Sequence, residues 1–240
     1  MINYRDRLIL SNNLEVLSSK SFSLIFKLIF AYFYQKNMTK IYLISPPQIT
    51  LQDFLPKLQN CLETNLIPIF QLRLKNYQTT EIKKIAKEIK KLCDDFNCKF
   101  LLNDDFQTAL ELDLTGVHLG SDDGDIEFVR KNSPKNFMIG ASCYDSKDLA
   151  LLAAKSGANY ISFGTFFPSQ TKNSKGKPDP KIISWCKENI NLPTVAIGGI
   201  KEENCDLLIK EKVDFLAIIS YIWNHPNGEN FAIKNLSSKL

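Results

Sequence analysis

From Lys40 onward, short apolar runs alternate with longer stretches whose apolar residues recur at helical spacing. Runs at 41–44, 66–72, 99–102, 116–119, 137–141, 160–163, 194–197 and 215–218 predict strands. The stretches 51–63, 80–95, 106–112, 125–131, 146–156, 180–188 and 202–210 predict helices, with a helical tail beyond the last strand. Strands that alternate with helices in this way form a parallel sheet. Eight such units in about 200 residues have the size of a (β/α)8 TIM barrel. A doubly wound open sheet fits less well, because no G-x-G-x-x-G follows the first strand. The expectation is therefore an α/β chain with a single barrel domain over residues 39–240.

Residues 1–38 break the pattern. The run at 22–34 is aromatic-rich and apolar, but Lys27 interrupts it and it is too short for a good membrane span. It lacks a small-residue cleavage site. Met38 directly precedes the first clean strand, so residues 1–38 read as an extension outside the native protein, with translation starting at Met38.

The chain has 240 residues, 44% hydrophobic and 23% charged, ordinary values for a globular protein. A net charge of +4 is modest, and the lysines of 83–91 read as a solvated helix face. No basic stripe interleaves with aromatics, which argues against a nucleic-acid partner. Six cysteines form no C-x-x-C pair, and there are only two histidines. That composition argues against a zinc site and for thiols kept reduced in the cytoplasm. No membrane partner is expected, and homo-oligomerisation is left open.

In a barrel, ligand and catalytic groups gather at the C-terminal ends of the strands. The second predicted strand ends in Gln71, Arg73 and Lys75, spaced by two and so on one face if extended. Two cations beside an amide suit a diphosphate attached to a polar ring. The third strand ends in Asn103 and Asp104, and the fourth runs into Asp122 and Asp123. Asp104 with Asp122 or Asp123 would form a half-site for Mg²⁺, which takes one or two carboxylates plus substrate phosphates. Helix capping is the competing explanation for these aspartates. Ser142 ends the fifth strand, and the sixth leads into Ser169, Thr171 and Lys172, two hydroxyls and an ammonium for a phosphorylated ligand. Gly198 and Gly199 would let backbone N–H groups approach a ligand. Gly199 and Ser220 fall where barrels often bind phosphate, after strands seven and eight. The small-molecule ligands implied are one diphosphate and one monophosphate.

In order along the chain, Q-L-R-L-K, L-L-N-D-D, G-V-H-L-G-S-D-D, I-G-A-S, F-G-T-F-F-P-S-Q-T-K, V-A-I-G-G-I and the Ile219–Ser220 pair resemble the thiamine-phosphate synthase family. The resemblance covers about residues 40–225. It implies transfer of a pyrimidine-methyl group from hydroxymethylpyrimidine diphosphate to a thiazole phosphate, giving thiamine phosphate and diphosphate. It assigns Gln71, Arg73, Lys75, Asn103, Ser142 and Lys172 to the pyrimidine diphosphate, with Lys172, Arg73 and Ser142 as the catalytic set. It assigns Mg²⁺ to Asp104 and Asp123, and Ser169, Thr171, Gly199, Ile219 and Ser220 to the thiazole phosphate. Ionisation of a diphosphate ester needs no general base, in keeping with the scarcity of histidine, and His118 reads as structural.

Three departures stand out. Ser121 is where the family often has Gln, Ser169 replaces a usual Thr, and Tyr144 takes a place where His is common. The last bears on a rival within the fold, a thiazole tautomerase, which uses a histidine there for proton transfer. A second rival is a non-catalytic sensor of phosphorylated ligands on the same barrel. The retained Arg73, Asp104, Asp123 and Lys172 favour the synthase.

Overall fold

Eight strands close on themselves in chain order in the computed structural model, which describes residues 38–121, 124–168 and 176–240. They are β1 (Lys40–Ile44), β2 (Ile69–Leu72), β3 (Lys99–Asn103), β4 (Gly116–Leu119), β5 (Met138–Tyr144), β6 (Tyr160–Gly164), β7 (Thr194–Ile197) and β8 (Phe215–Ile218). Every neighbouring pair is parallel, and β8 closes the ring against β1 with Ile41 beside Leu216. Helices α1 (Leu51–Glu63), α2 (Thr79–Asp95), α3 (Phe106–Glu111), α4 (Ile126–Lys131), α5 (Lys147–Lys155), α6 (Lys181–Asn189) and α7 (Asp206–Lys210) connect them. Two more, α8 (Ser220–Trp223) and α9 (Glu229–Ser237), follow β8. The (β/α)8 architecture read from the alternation is the architecture observed, and residues 39–240 form one compact unit.

The continuous apolar strands follow from burial on both faces. Along β1, Ile41 and Leu43 pack outward under the helices, while Tyr42 and Ile44 join Ile69, Leu101, Tyr160, Val195 and Ala217 inside the barrel. Each helix offers one stripe to this shell. On α2 that stripe is Ile85, Ala86, Ile89 and Cys93, and the helix starts at a capping box made by Gln78 and Glu81. Lysines occupy the other side, where Lys90–Asp94 and Lys91–Glu88 pair on the surface. All six cysteines are buried and unbridged, and burial pushes the Cys61 and Cys143 thiols up to about 12. No helix among the described residues is long and apolar enough to cross a membrane.

Three boundaries differ from the sequence expectation by three residues or more. β2 starts at Ile69, because Pro68 has no N–H to give a ladder. β5 runs on to Tyr144, with a register irregularity between Ser142 and Tyr144, and Tyr144 ends the strand at a left-handed φ of 53°. Before β8 only 206–210 is helical. Asn204 accepts from the Lys201 amide at 2.8 Å and donates to the Gly199 carbonyl at 2.9 Å, and these side-chain bonds compete with a helical start.

Candidate active site

The strands' C-terminal ends open into a cavity of about 910 Å³, and all eight strands contribute to its wall. Gln71, Arg73, Asn103, Asp104, Ser142, Gly199, Ile219 and Ser220, each singled out from the sequence, line it together. Residues expected on the pyrimidine-diphosphate side and on the thiazole-phosphate side, where they are described and Lys75 apart, thus line the same cavity. Lys75 does not line it. The chain leaves the sheet after Leu72, Lys75 is exposed, and its amide donates to the Pro47 carbonyl at 2.9 Å. The one-face alignment of Gln71, Arg73 and Lys75 therefore holds for the first two only. Asp122, Asp123, Ser169, Thr171 and Lys172 lie outside the described residues.

Local structure explains how the lining groups are held. Arg73 follows β2 directly, and its amide donates to the buried Ser45 hydroxyl at 2.8 Å. Asp104 sits at a left-handed φ of 65°, a conformation Asp tolerates, with its amide donating to the His118 carbonyl at 2.9 Å. Capping is done by its neighbour: the Asp105 carboxylate accepts from the Thr108 amide at 2.9 Å at the start of α3. Asp125 likewise caps α4. Capping thus accounts for Asp105 and Asp125, whereas Asp104 lines the cavity.

The floor is a run of hydrogen bonds that sequence reading did not foresee. Tyr42 Oη donates to Gln71 Oε1 at 2.9 Å and lies 2.9 Å from Tyr160 Oη. Tyr160 Oη is 2.8 Å from His118 Nδ1, and His118 Nε2 is 2.9 Å from Ser142 Oγ. On the other side Gln71 Nε2 donates to Asn103 Oδ1 at 2.7 Å, and Asn103 Nδ2 donates to the Asp104 carboxylate. Each such bond contributes about 1 kcal/mol net, but a buried partner left unmatched costs about 1–3 kcal/mol. Among the described residues no buried side-chain polar atom lacks a partner.

Burial, helped by the Arg73 guanidinium, pushes His118 down to about 4. Its folded value lies below the 6.5 of an exposed histidine, so the unfolded chain takes up a proton first as pH falls. The stability this neutral ring contributes is complete above about pH 6.5 and is lost between there and about pH 4. The slope from this group is at most about 1.4 kcal/mol per pH unit. Chemical denaturation at several pH values checks this: His118→Gln is expected to flatten the profile across that window, and an unchanged profile would show that His118 does not set it.

Glycines shape the site by the space they leave. Gly140 on β5 faces Tyr160 on β6, and a Cβ there would lie 2.0 Å from the tyrosine's Cζ. Gly140→Ala is therefore expected to displace the ring and cost about 1–3 kcal/mol in denaturant unfolding. Gly198 and Gly199 have φ of 105° and 61°, and a Cβ on Gly199 would meet the Pro168 carbonyl at 2.3 Å. The strand six loop is stitched here, with the Phe166 and Phe167 amides donating to the Ile197 and Gly198 carbonyls, each at 3.1 Å. The glycine pair thus admits the neighbouring loop's backbone as well as lining the cavity.

The fold and site define a (β/α)8-barrel enzyme with its ligand cavity at the C-terminal strand ends. Residues 41–222 match the family model for thiamine monophosphate synthase. The thiamine-phosphate synthase of Rhodospirillum centenum is 36% identical over 198 residues, covering 82% of this chain and 96% of the relative. That of Pelagibacter ubique is 41% identical over 189 residues, 79% of this chain and 91% of the relative. The solved structure of thiamine phosphate pyrophosphorylase from Pyrococcus furiosus superposes with a TM-score of 0.72 at 30% identity, covering 85% of this chain and 96% of that one. The chain belongs to the thiamine-phosphate synthase family. A 3-hexulose-6-phosphate synthase structure, at 15% identity and a TM-score of 0.59, shares the fold alone.

Proposed function

We propose that this chain condenses 4-amino-2-methyl-5-(diphosphooxymethyl)pyrimidine with a thiazole phosphate, giving thiamine phosphate and diphosphate. The observation that carries the reading is the meeting of Gln71, Arg73, Asn103, Asp104 and Ser142 with Gly199 and Ser220 in one cavity of a family member. In the reaction the CH₂–O bond to the diphosphate breaks, and the oxygen keeps the electron pair. The thiazole nitrogen then gives its lone pair to the cationic methylene carbon. Arg73 binds the diphosphate oxygens, and Gln71, Asn103 and Ser142 orient the pyrimidine. Lys172 stabilises charge on the departing group, an electrostatic role. Ser169, Thr171, Gly199, Ile219 and Ser220 receive the thiazole phosphate. The walls keep water from the cation.

The donor set fits Mg²⁺. Asp104 presents a hard oxygen ligand in the cavity. One or two carboxylates with substrate phosphates is how Mg²⁺ is commonly held. Asp104 and Asp123 would hold it. Bound there, Mg²⁺ would supply positive charge that neutralises diphosphate oxygens and would make the group a better leaving group. Six unbridged thiols suit a reducing cytoplasm.

Tyr144 lines the cavity at the place where the tautomerase reading needs histidine. Incubation with each ligand separately divides the readings. A synthase leaves thiazole phosphate unchanged when it is given alone and releases stoichiometric diphosphate when both ligands are present. Isomerisation of thiazole phosphate alone would favour the tautomerase, and binding without turnover the sensor.

A further inference from the structure

The floor bonds can be followed from one end, because an ionised carboxylate only accepts. Asp104 therefore takes the Asn103 amide NH₂, which turns the Asn103 oxygen toward Gln71. Gln71 must donate there with its own NH₂, so its oxygen is left for Tyr42. Tyr42 spends its one O–H on Gln71, so the 2.9 Å contact between the phenols is supplied by the Tyr160 O–H. Tyr160 then has only lone pairs for His118 at 2.8 Å, and the imidazole proton sits on Nδ1. Nε2 is bare and accepts from the Ser142 hydroxyl at 2.9 Å.

We infer that Ser142, His118, Tyr160, Tyr42, Gln71, Asn103 and Asp104 form a one-way chain of donors ending on the Asp104 carboxylate, and that this chain makes Ser142 an obligate acceptor toward the ligand. Ser142 has spent its only proton on the protein, so the ligand group that seats on it must carry an N–H or O–H. His118, Tyr160 and Tyr42 are positioning residues: they fix the polarity of Ser142 through one another. Tyr42 and Tyr160 are 1% and 2% exposed, which leaves water little room to reverse a link. The Tyr160 ring also stacks on the His118 ring, with centroids 5.6 Å apart and planes 17° apart, and the room it occupies is the space Gly140 leaves. Taken with the synthase reading, on which the ligand's identity rests, the chain selects a pyrimidine that presents an exocyclic amine. It disfavours the oxo analogue, which presents a carbonyl.

The direction of the chain is read on the ligand-free, full-length protein labelled with ¹⁵N-histidine. There are two histidines, and His225→Gln assigns the signals. In the wild type His118 is expected to carry its proton on Nδ1 at neutral pH. In Tyr160→Phe that proton loses its acceptor, and the spectrum shifts toward the Nε2–H form. In parallel, the kcat/KM preference for the aminopyrimidine diphosphate over its 4-oxo analogue falls by on the order of 10-fold or more. If Tyr160→Phe does not fold, Tyr42→Phe breaks the same chain one link further on. An Nε2–H tautomer in the wild type overturns the proposal, as does an unchanged tautomer in the folded variant. A shifted tautomer with unchanged preference overturns the selective role of Ser142. Absence of turnover by the wild type counts against the synthase reading, while the spectra still decide the direction of the chain.

Discussion

Asp104→Ala is expected to lower kcat by on the order of 10³-fold, because metal-borne charge stabilisation contributes several kcal/mol and this carboxylate is the cavity's candidate ligand for it. The substitution also removes the acceptor for the Asn103 amide, so the hydrogen-bonded floor loses its anchored end. Asp104→Asn separates the two effects. An asparagine oxygen can still accept from Asn103 but brings no charge, so the floor and thermal stability are retained while turnover stays low. Raising Mg²⁺ is expected to recover more activity in Asp104→Asn than in Asp104→Ala. Near-normal turnover in Asp104→Ala would remove Asp104 from the metal site.

Lys172→Ala is expected to lower kcat by about 10²–10³-fold, the range for losing one preorganised partner of developing charge. The effect belongs to the transition state, where the diphosphate takes up the electron pair of the breaking bond. KM for the pyrimidine diphosphate is therefore expected to change far less than kcat. Lys172→Arg keeps the cation but replaces a compact ammonium by a planar fork, so partial recovery is expected. Steady-state kinetics with circular dichroism on each variant check both points, and normal turnover of Lys172→Ala would refute its role.

The barrel was legible in the chain because each strand is an apolar run and each helix has its own stripe, so period alone separates them. Cavity-lining residues were legible where a polar side chain breaks an apolar run at its end, as at Asn103, Ser142 and Ser220. Lys75 was read as sharing a face with Gln71 and Arg73 by treating the strand exit as extended, whereas the strand ends at Leu72 and the Lys75 amide bonds to the Pro47 carbonyl. Tyr42, Tyr160 and the bonding role of His118 stayed hidden for a different reason. Inside a strand a tyrosine scans as one more large apolar residue, and only closure of the ring brings its hydroxyl to residues 29 and 118 positions away. Gly140 was readable as part of I-G-A-S, but the Tyr160 ring that requires it comes from the next strand. The local competition that shortens the last connecting helix depends on an Asn204–Gly199 bond, which no periodicity reports.

The most direct measurement mixes the pyrimidine diphosphate, the thiazole phosphate and Mg²⁺ with the full chain, and separately with a chain starting at Met38, and quantifies products. Thiamine phosphate and diphosphate in equal amounts are expected from both proteins, at comparable rates. Thiamine phosphate from neither, with both proteins folded, would contradict the synthase function.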